Sequence, residues 1–270
     1  MCATCGCSGD TVLVHAHEHD HGHELGHGPG HEQGHEPGDE HGHGHGHGHG
    51  HEEPQTRTVT LEQAVLARND ALAELNREWF AQHGILAVNL MSSPGAGKTT
   101  LLERTIRELG AELQVSVVEG DQETVLDADR IRATGAPAVQ INTGSGCHLD
   151  AQMLAGGLRT LDPPERSVVL IENVGNLVCP ALFDLGEQAR VVITSVTEGA
   201  EKPRKYPQMF RAADLVLLNK IDLLPYVDFD VDTFLEGARR ANPGVEVLQL
   251  SATTGDGIGD WYGWLRARLA

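Results

Sequence analysis

The stretch Ser92-Ser93-Pro94-Gly95-Ala96-Gly97-Lys98-Thr99 constrains this chain more than any other, because it joins an apolar run at 85–91 to an amphipathic run starting at Lys98. It fits the phosphate-loop pattern G-x-x-x-x-G-K-[ST], with Ser92 standing where the first glycine belongs. A strand before the loop and a helix after it are the context such a loop needs. Gly95 and Gly97 let backbone N–H groups approach phosphate oxygens, and the helix N-terminus adds a favourable dipole. Lys98 is expected at the β- and γ-phosphates and the Thr99 hydroxyl at magnesium.

The rest of the chain from about 56 repeats this alternation. Further apolar runs at 115–119, 138–141, 167–172, 190–196, 214–218 and 245–250 predict strands. Amphipathic stretches at 98–109, 122–134, 149–161, 204–212, 229–241 and 258–269 predict helices. An earlier helix is expected from Thr60, read with Gln63 as a capping box, to a stop at Gly84. Near-continuous runs such as Val168-Val169-Leu170-Ile171 suit strands buried on both faces. The fold expected for 56–270 is therefore α/β, three-layered, with a mostly parallel central sheet.

Composition divides the chain. Residues 1–55 hold 14 of the 16 histidines, 13 of the 32 glycines and ten acids, but no lysine or arginine. Residues 56–270 are left with a net charge of −9. A chain acidic throughout, with no basic block, predicts neither nucleic acid nor an anionic membrane surface as a partner. No run of 18 apolar residues offers a membrane span, and Met1-Cys2-Ala3-Thr4-Cys5 does not read as a secretion signal, so a cytoplasmic location is expected.

Asn219-Lys220-Ile221-Asp222 follows the apolar run 214–218. The Asp222 carboxylate can accept from the N1–H and exocyclic amine of guanine together, a donor pair adenine lacks, and buried polar sites discriminate strongly on such differences. Ser251-Ala252, after the next run, is placed to offer the base a backbone N–H. Glu172 heads an acid-x-x-Gly segment, and Asp121 follows the run ending at Glu119-Gly120. Either acid can hold magnesium or position the attacking water. Asp127 is a lesser candidate, further into the next helix.

The cysteines are too clustered for a disulfide framework. Cys2, Cys5 and Cys7, with the α-amino group, put soft donors on one short segment, 1–14, which suits nickel(II) in a near-planar set, whereas zinc prefers a tetrahedron. Cys147-His148 is expected to open a helix after the turn Thr143–Gly146, and Cys179 lies after Glu172. Two thiols and an imidazole converging there would hold a metal, but the same residues also fit small core cysteines beside an ordinary histidine. Residues 15–55 are low in complexity, with His15, His17, His19, His21, His23, His27, His31, His35, His41, His43, His45, His47, His49 and His51 set among Gly, Glu, Asp and Pro. So little apolar surface cannot offset ordering entropy, which predicts a disordered tail that binds several divalent ions loosely.

Together these residues resemble the hydrogenase nickel-incorporation GTPase family, HypB. The resemblance rests on Cys2-x-x-Cys5-Gly6-Cys7, on Ser93-Pro94-Gly95-Ala96-Gly97-Lys98-Thr99-Thr100 and on Glu119-Gly120-Asp121. It continues through Thr143-Gly144 with Cys147-His148-Leu149-Asp150-Ala151, Glu172-Asn173-Val174-Gly175-Asn176-Leu177-Val178-Cys179-Pro180 and Asn219-Lys220-Ile221-Asp222. It implies a P-loop NTPase fold, slow GTP hydrolysis with Mg2+, and a nucleotide-dependent homodimer that handles Ni2+ for [NiFe] hydrogenase. It further implies a companion nickel-binding maturation protein and the hydrogenase large-subunit precursor as partners. Cys147, His148 and Cys179 match that family's metal site at the dimer interface, where Zn2+ is a second candidate. Cys2, Cys5 and Cys7 match a nickel site found in some members. The alternatives are a urease-type nickel-delivery GTPase and a non-enzymatic nickel store.

Overall fold

Seven strands and eight α-helices make up the structure, a computed structural model that describes residues 54–121, 126–144 and 146–269, and the side chains of these other than 54–62, 126 and 128. The Cys2/Cys5/Cys7 segment, the histidine tail and the boundaries drawn at 1–14 and 15–55 lie outside the described residues. The chain runs α1 (Pro54–His83), β1 (Leu86–Ser92), α2 (Lys98–Leu113), β2 (Val115–Asp121), α3 (Leu126–Arg132), β3 (Ala138–Asn142), α4 (Ala151–Leu161) and β4 (Val168–Glu172). It continues through β5 (Ala189–Ser195), α5 (Lys202–Lys205), α6 (Pro207–Arg211), β6 (Leu215–Asn219), α7 (Val231–Ala241), β7 (Glu246–Gln249) and α8 (Ile258–Leu269).

All seven strands are parallel, in the order β3-β2-β4-β1-β5-β6-β7. Parallel strands need helical crossovers, and those helices cover both faces. On one face Val88 and Leu90 pack with Leu101, Leu102 and Leu109 of α2 and Trp261 and Leu265 of α8. Their neighbours point the other way. Ala87 meets Phe80 of α1 and Leu154 of α4, and Met91 meets Phe210 and Phe234 of α6 and α7. The chain direction along the sheet reverses on either side of β1, between β4 and β5. That switch point is where open α/β sheets bind ligands.

α1 is anchored by polar groups as much as by its apolar side chains Ala73 and Phe80. Asn69 donates to the Asp184 carbonyl at 2.8 Å and accepts from the Ala151 N–H at 2.9 Å. Asn76 donates to the Ala151 and Leu185 carbonyls, both at 2.9 Å. The helix begins at Pro54, so Thr60 lies within it rather than capping it. The single helix expected at 204–212 is two short ones, α5 and α6, because Pro207 has no N–H to continue a helix and turns Tyr206 away from helical geometry (φ −128°, ψ 55°). α4 begins at Ala151, since Asp150 caps it by accepting from the Met153 N–H at 2.7 Å. Cys147 and His148 therefore lie in the turn ahead of α4, not in its first turn.

Candidate nucleotide and metal site

The phosphate loop leaves β1 and enters α2 through two left-handed glycines, Gly95 (φ 75°) and Gly97 (φ 97°). A Cβ on Gly97 would sit 2.5 Å from Asn219 Nδ2, so only glycine fits there. The loop borders a cavity of about 500 Å³ lined by Ser92–Thr100, Glu119, Asp121, Asp127, Glu172 and Lys220 among others. Lys98 Nζ lies 3.2 Å from Glu172 Oε1, and the Thr99 hydroxyl donates to the same oxygen at 2.8 Å. The Ser93 hydroxyl donates to Glu198 beyond β5, whose carboxylate also pairs with Lys202 at 2.9 Å.

Glu119 is the site residue that the sequence reading left out of its acid candidates. It is the register partner of Glu172 on the neighbouring strand. Each carboxylate keeps one oxygen buried and without a hydrogen-bond partner, Glu119 Oε2 and Glu172 Oε2. Burial, then repulsion from Glu172, Asp121 and Asp127, pushes the Glu119 carboxyl up to about 8. A hard divalent cation is what such a set of oxygens lacks, so Thr99, Glu119, Asp121 and Glu172 fit a magnesium ion. An acid closing a doubly buried strand, in Glu119-Gly120-Asp121, was the signal available. Asp127 is engaged by Arg130 at 3.2 Å.

Asn219 hooks the end of β6 onto the phosphate loop. Its Nδ2 donates to the Ala96 carbonyl at 2.9 Å, and its Oδ1 accepts from the Lys220 N–H at 2.8 Å and the Ala252 N–H at 3.0 Å. Lys220 Nζ donates to the Gly95 carbonyl at 2.7 Å. The Ala252 N–H, expected to face a base, is thus held by Asn219, while the Ser251 N–H donates to the Asp256 carbonyl at 2.9 Å. Asp222 Oδ1 is buried without a hydrogen-bond partner.

Cys147, His148 and Cys179 converge, with their ligand atoms all within 4.8 Å of one another. The two sulfurs are 2.8 Å apart, and Cys147 Sγ lies 3.7 Å from His148 Nδ1. β3 and β4 are not neighbours but flank β2, so the two loops meet across the end of β2 rather than along adjacent strands. His148 stacks on Phe183 with ring centroids 3.8 Å apart. Burial holds its imidazole below the usual histidine range, which keeps it in the neutral, ligating form. Val178 and Leu182, flanking Cys179, are exposed.

A glycine cradle at the sheet's switch point, with Asn219 locked onto it, is the architecture of a P-loop nucleotide-binding protein. The family model described as the CobW/HypB/UreG nucleotide-binding domain matches residues 86–249. The HypB hydrogenase maturation factor of Azotobacter vinelandii is 57% identical over 211 residues, covering 78% of this chain and 70% of that protein. That of Escherichia coli K12 is 54% identical over 214 residues, 79% of this chain and 74% of its own. Among solved structures, HypB from Archaeoglobus fulgidus superposes with a TM-score of 0.71 at 43% identity, covering 76% of this chain and all of that one. HypB from Helicobacter pylori in complex with nickel gives a TM-score of 0.70 at 37% identity, over 75% of this chain and 95% of that one. The chain belongs to the CobW/HypB/UreG family, in its HypB branch. Among the described residues no helix is long and apolar enough to cross a membrane.

Proposed function

We propose that this protein is a GTP-hydrolysing nickel metallochaperone for [NiFe] hydrogenase maturation, in which the nucleotide gates metal held by Cys147, His148 and Cys179. The observation that carries this reading is a Cys–His–Cys cluster with one cysteine on the loop that leaves the nucleotide pocket: Cys179 lies seven residues beyond Glu172, the acid that Thr99 and Lys98 contact. Relatives named hydrogenase maturation factors and a nickel-complexed homologue support it. The unpartnered Asp222 Oδ1 supports guanine, whose donor pair it would accept.

In this reading the backbone of Ser93–Thr100 wraps the phosphates and Lys98 offsets charge on the transferred phosphoryl group. Asn219, Lys220, Asp222, Ser251 and Ala252 surround the base. Magnesium would be held by Thr99, Asp121 and Glu172, with Glu119 behind them, and would supply charge neutralisation at the phosphates. Asp121 or Glu172 orients the attacking water, and turnover is slow, since Arg130, the arginine that lines the cavity among the described residues, is tied to Glu103 and Asp127. Nickel is cargo, with zinc able to occupy the same thiolate site. Cys2, Cys5, Cys7 and the histidine tail add tight and loose nickel binding. The working state is a cytoplasmic homodimer meeting a companion nickel-binding maturation protein and the hydrogenase large-subunit precursor.

Nucleotide turnover on GTP and ATP, with and without magnesium, tests the enzyme. GTP is hydrolysed and ATP is not, and Lys98→Ala loses several orders of magnitude in rate. Comparable ATP turnover would refute the guanine-specific reading, and nickel binding without any hydrolysis would refute it in favour of a passive nickel store.

A further inference from the structure

Three uncharged or paired polar residues sit where a sheet core is normally apolar. Asn89 in β1 and Asn173 after β4 are both 0% exposed, and Glu187 ahead of β5 is 6% exposed. They form one chain of hydrogen bonds. Asn173 Nδ2 donates to Asn89 Oδ1 at 3.2 Å, and Asn89 Nδ2 donates to Glu187 Oε1 at 3.1 Å. Arg190 Nε also donates to Glu187 Oε1, at 2.7 Å, so the buried carboxylate is neutralised.

The ends of this chain are attached to both metal loops. Asn173 Oδ1 accepts from the Leu149 N–H at 3.2 Å, one residue past His148. Glu187 Oε2 accepts from the Leu185 N–H at 2.7 Å, on the segment that carries Cys179 and the Phe183 ring against His148. Asn173 is also bonded covalently to Glu172, whose carboxylate contacts Lys98 and Thr99. A shift of the β4 end therefore cannot leave the Leu149 and Leu185 backbones where they are without breaking one of these bonds.

We infer that the Asn173–Asn89–Glu187 chain carries the coupling between the nucleotide site and the Cys147/His148/Cys179 cluster, with Asn89 as its positioning residue. The inference rests on the proposed gating of that cluster by nucleotide. Asn89 touches neither nucleotide nor metal. A buried network of this kind gains little stability over apolar residues of the same shape, and its use is to fix one arrangement of the groups it joins. A mere structural filler at Asn89 would leave the two sites coupled when removed.

Coupling is reciprocal, so it is read as the change nickel(II) makes in the affinity for GDP against a non-hydrolysable GTP analogue, measured on the full chain. Coupling energies of ordinary size predict a change of about 5- to 150-fold in that ratio for the unaltered protein. Cys179→Ala abolishes it, which assigns it to this cluster. Asn89→Leu abolishes it too, with metal-free nucleotide affinities unchanged. Glu187→Gln, which keeps size and the Leu185 contact but turns a donor toward Asn89, does the same and provides a second route should Asn89→Leu fold poorly. In a full chain carrying Cys2→Ser, Cys5→Ser and Cys7→Ser, nickel–thiolate absorption from the cluster persists in both variants. If the unaltered protein and Cys179→Ala behave as stated but Asn89→Leu and Glu187→Gln stay coupled, the chain is not the link, and gating stands. If the unaltered protein shows no coupling, or Cys179→Ala retains it, the gating reading falls and this inference with it.

Discussion

Gly97→Ala should separate the cost of backbone strain in the phosphate loop from the cost of unhooking β6. Gly97 has a φ of 97°, where an L-residue is strained by about 1–2 kcal/mol. Its new Cβ would lie 2.5 Å from Asn219 Nδ2, too close for any contact, so the Asn219 side chain must swing away. That breaks its bonds to the Ala96 carbonyl (2.9 Å), the Lys220 N–H (2.8 Å) and the Ala252 N–H (3.0 Å). At about 1 kcal/mol net per bond, strain and lost bonds together come to roughly 4–5 kcal/mol. For a domain of this size that is a melting-temperature drop of roughly 8–20 °C. Gly95→Ala is the control, because Gly95 also has positive φ (75°) but an added Cβ meets nothing within 4 Å. Strain alone predicts a drop of roughly 2–8 °C there. Thermal melts of both variants without nucleotide make the comparison. Equal drops would mean that Asn219 yields freely and that the phosphate loop and the β6 end are not mechanically joined.

Asp222→Ala should erode the preference for guanine over adenine nucleotides without lowering the melting temperature much, since the Asp222 Oδ1 it removes has no hydrogen-bond partner to lose; competition binding with GDP and ADP reads this, and an undiminished preference refutes the role of Asp222. Glu119→Gln should raise the melting temperature of the nucleotide-free protein near neutral pH, because a carboxyl pushed up to about 8 beside Glu172 must take up a proton on folding and glutamine need not, while weakening the stabilisation gained from magnesium with GDP; melts with and without both ligands check the two signs. Deleting 15–51 should leave folding and GTP turnover intact and lower the number of nickel ions held per chain. Binding through that tail should fade below about pH 6 as imidazoles protonate, and an equal nickel load in the shortened chain would end the storage reading.

Much of the nucleotide side was legible because its signals are local. A strand, two glycines, a lysine and a helix within a few residues make the phosphate loop, and the Val/Ile/Leu runs of β4 and β6 read as doubly buried strands. The metal side was not. Cys147 and Cys179 are 32 residues apart, and spacing left open whether they met. Nor do their loops follow neighbouring strands, since β2 lies between β3 and β4. Glu119 was passed over because its partner, Glu172, faces it only through the β2–β4 register. Tyr206 broke a helix that periodicity ran through, because a proline effect on the preceding residue is invisible to a count of apolar positions.

The amino-acid sequence by itself determined the class of fold, the phosphate loop and the order of strands and helices, because these depend on hydrophobic period and turn chemistry over a few residues. It also determined the donor types at Cys147, His148 and Cys179. Only the tertiary structure decided that their ligand atoms lie within 4.8 Å of one another, that Glu119 joins Glu172, and that Asn89, Asn173 and Glu187 form one buried chain between the two sites. Such meetings depend on which strands become neighbours and in what register, and strand order is set by the packing of the whole sheet against its helices rather than by any segment of it.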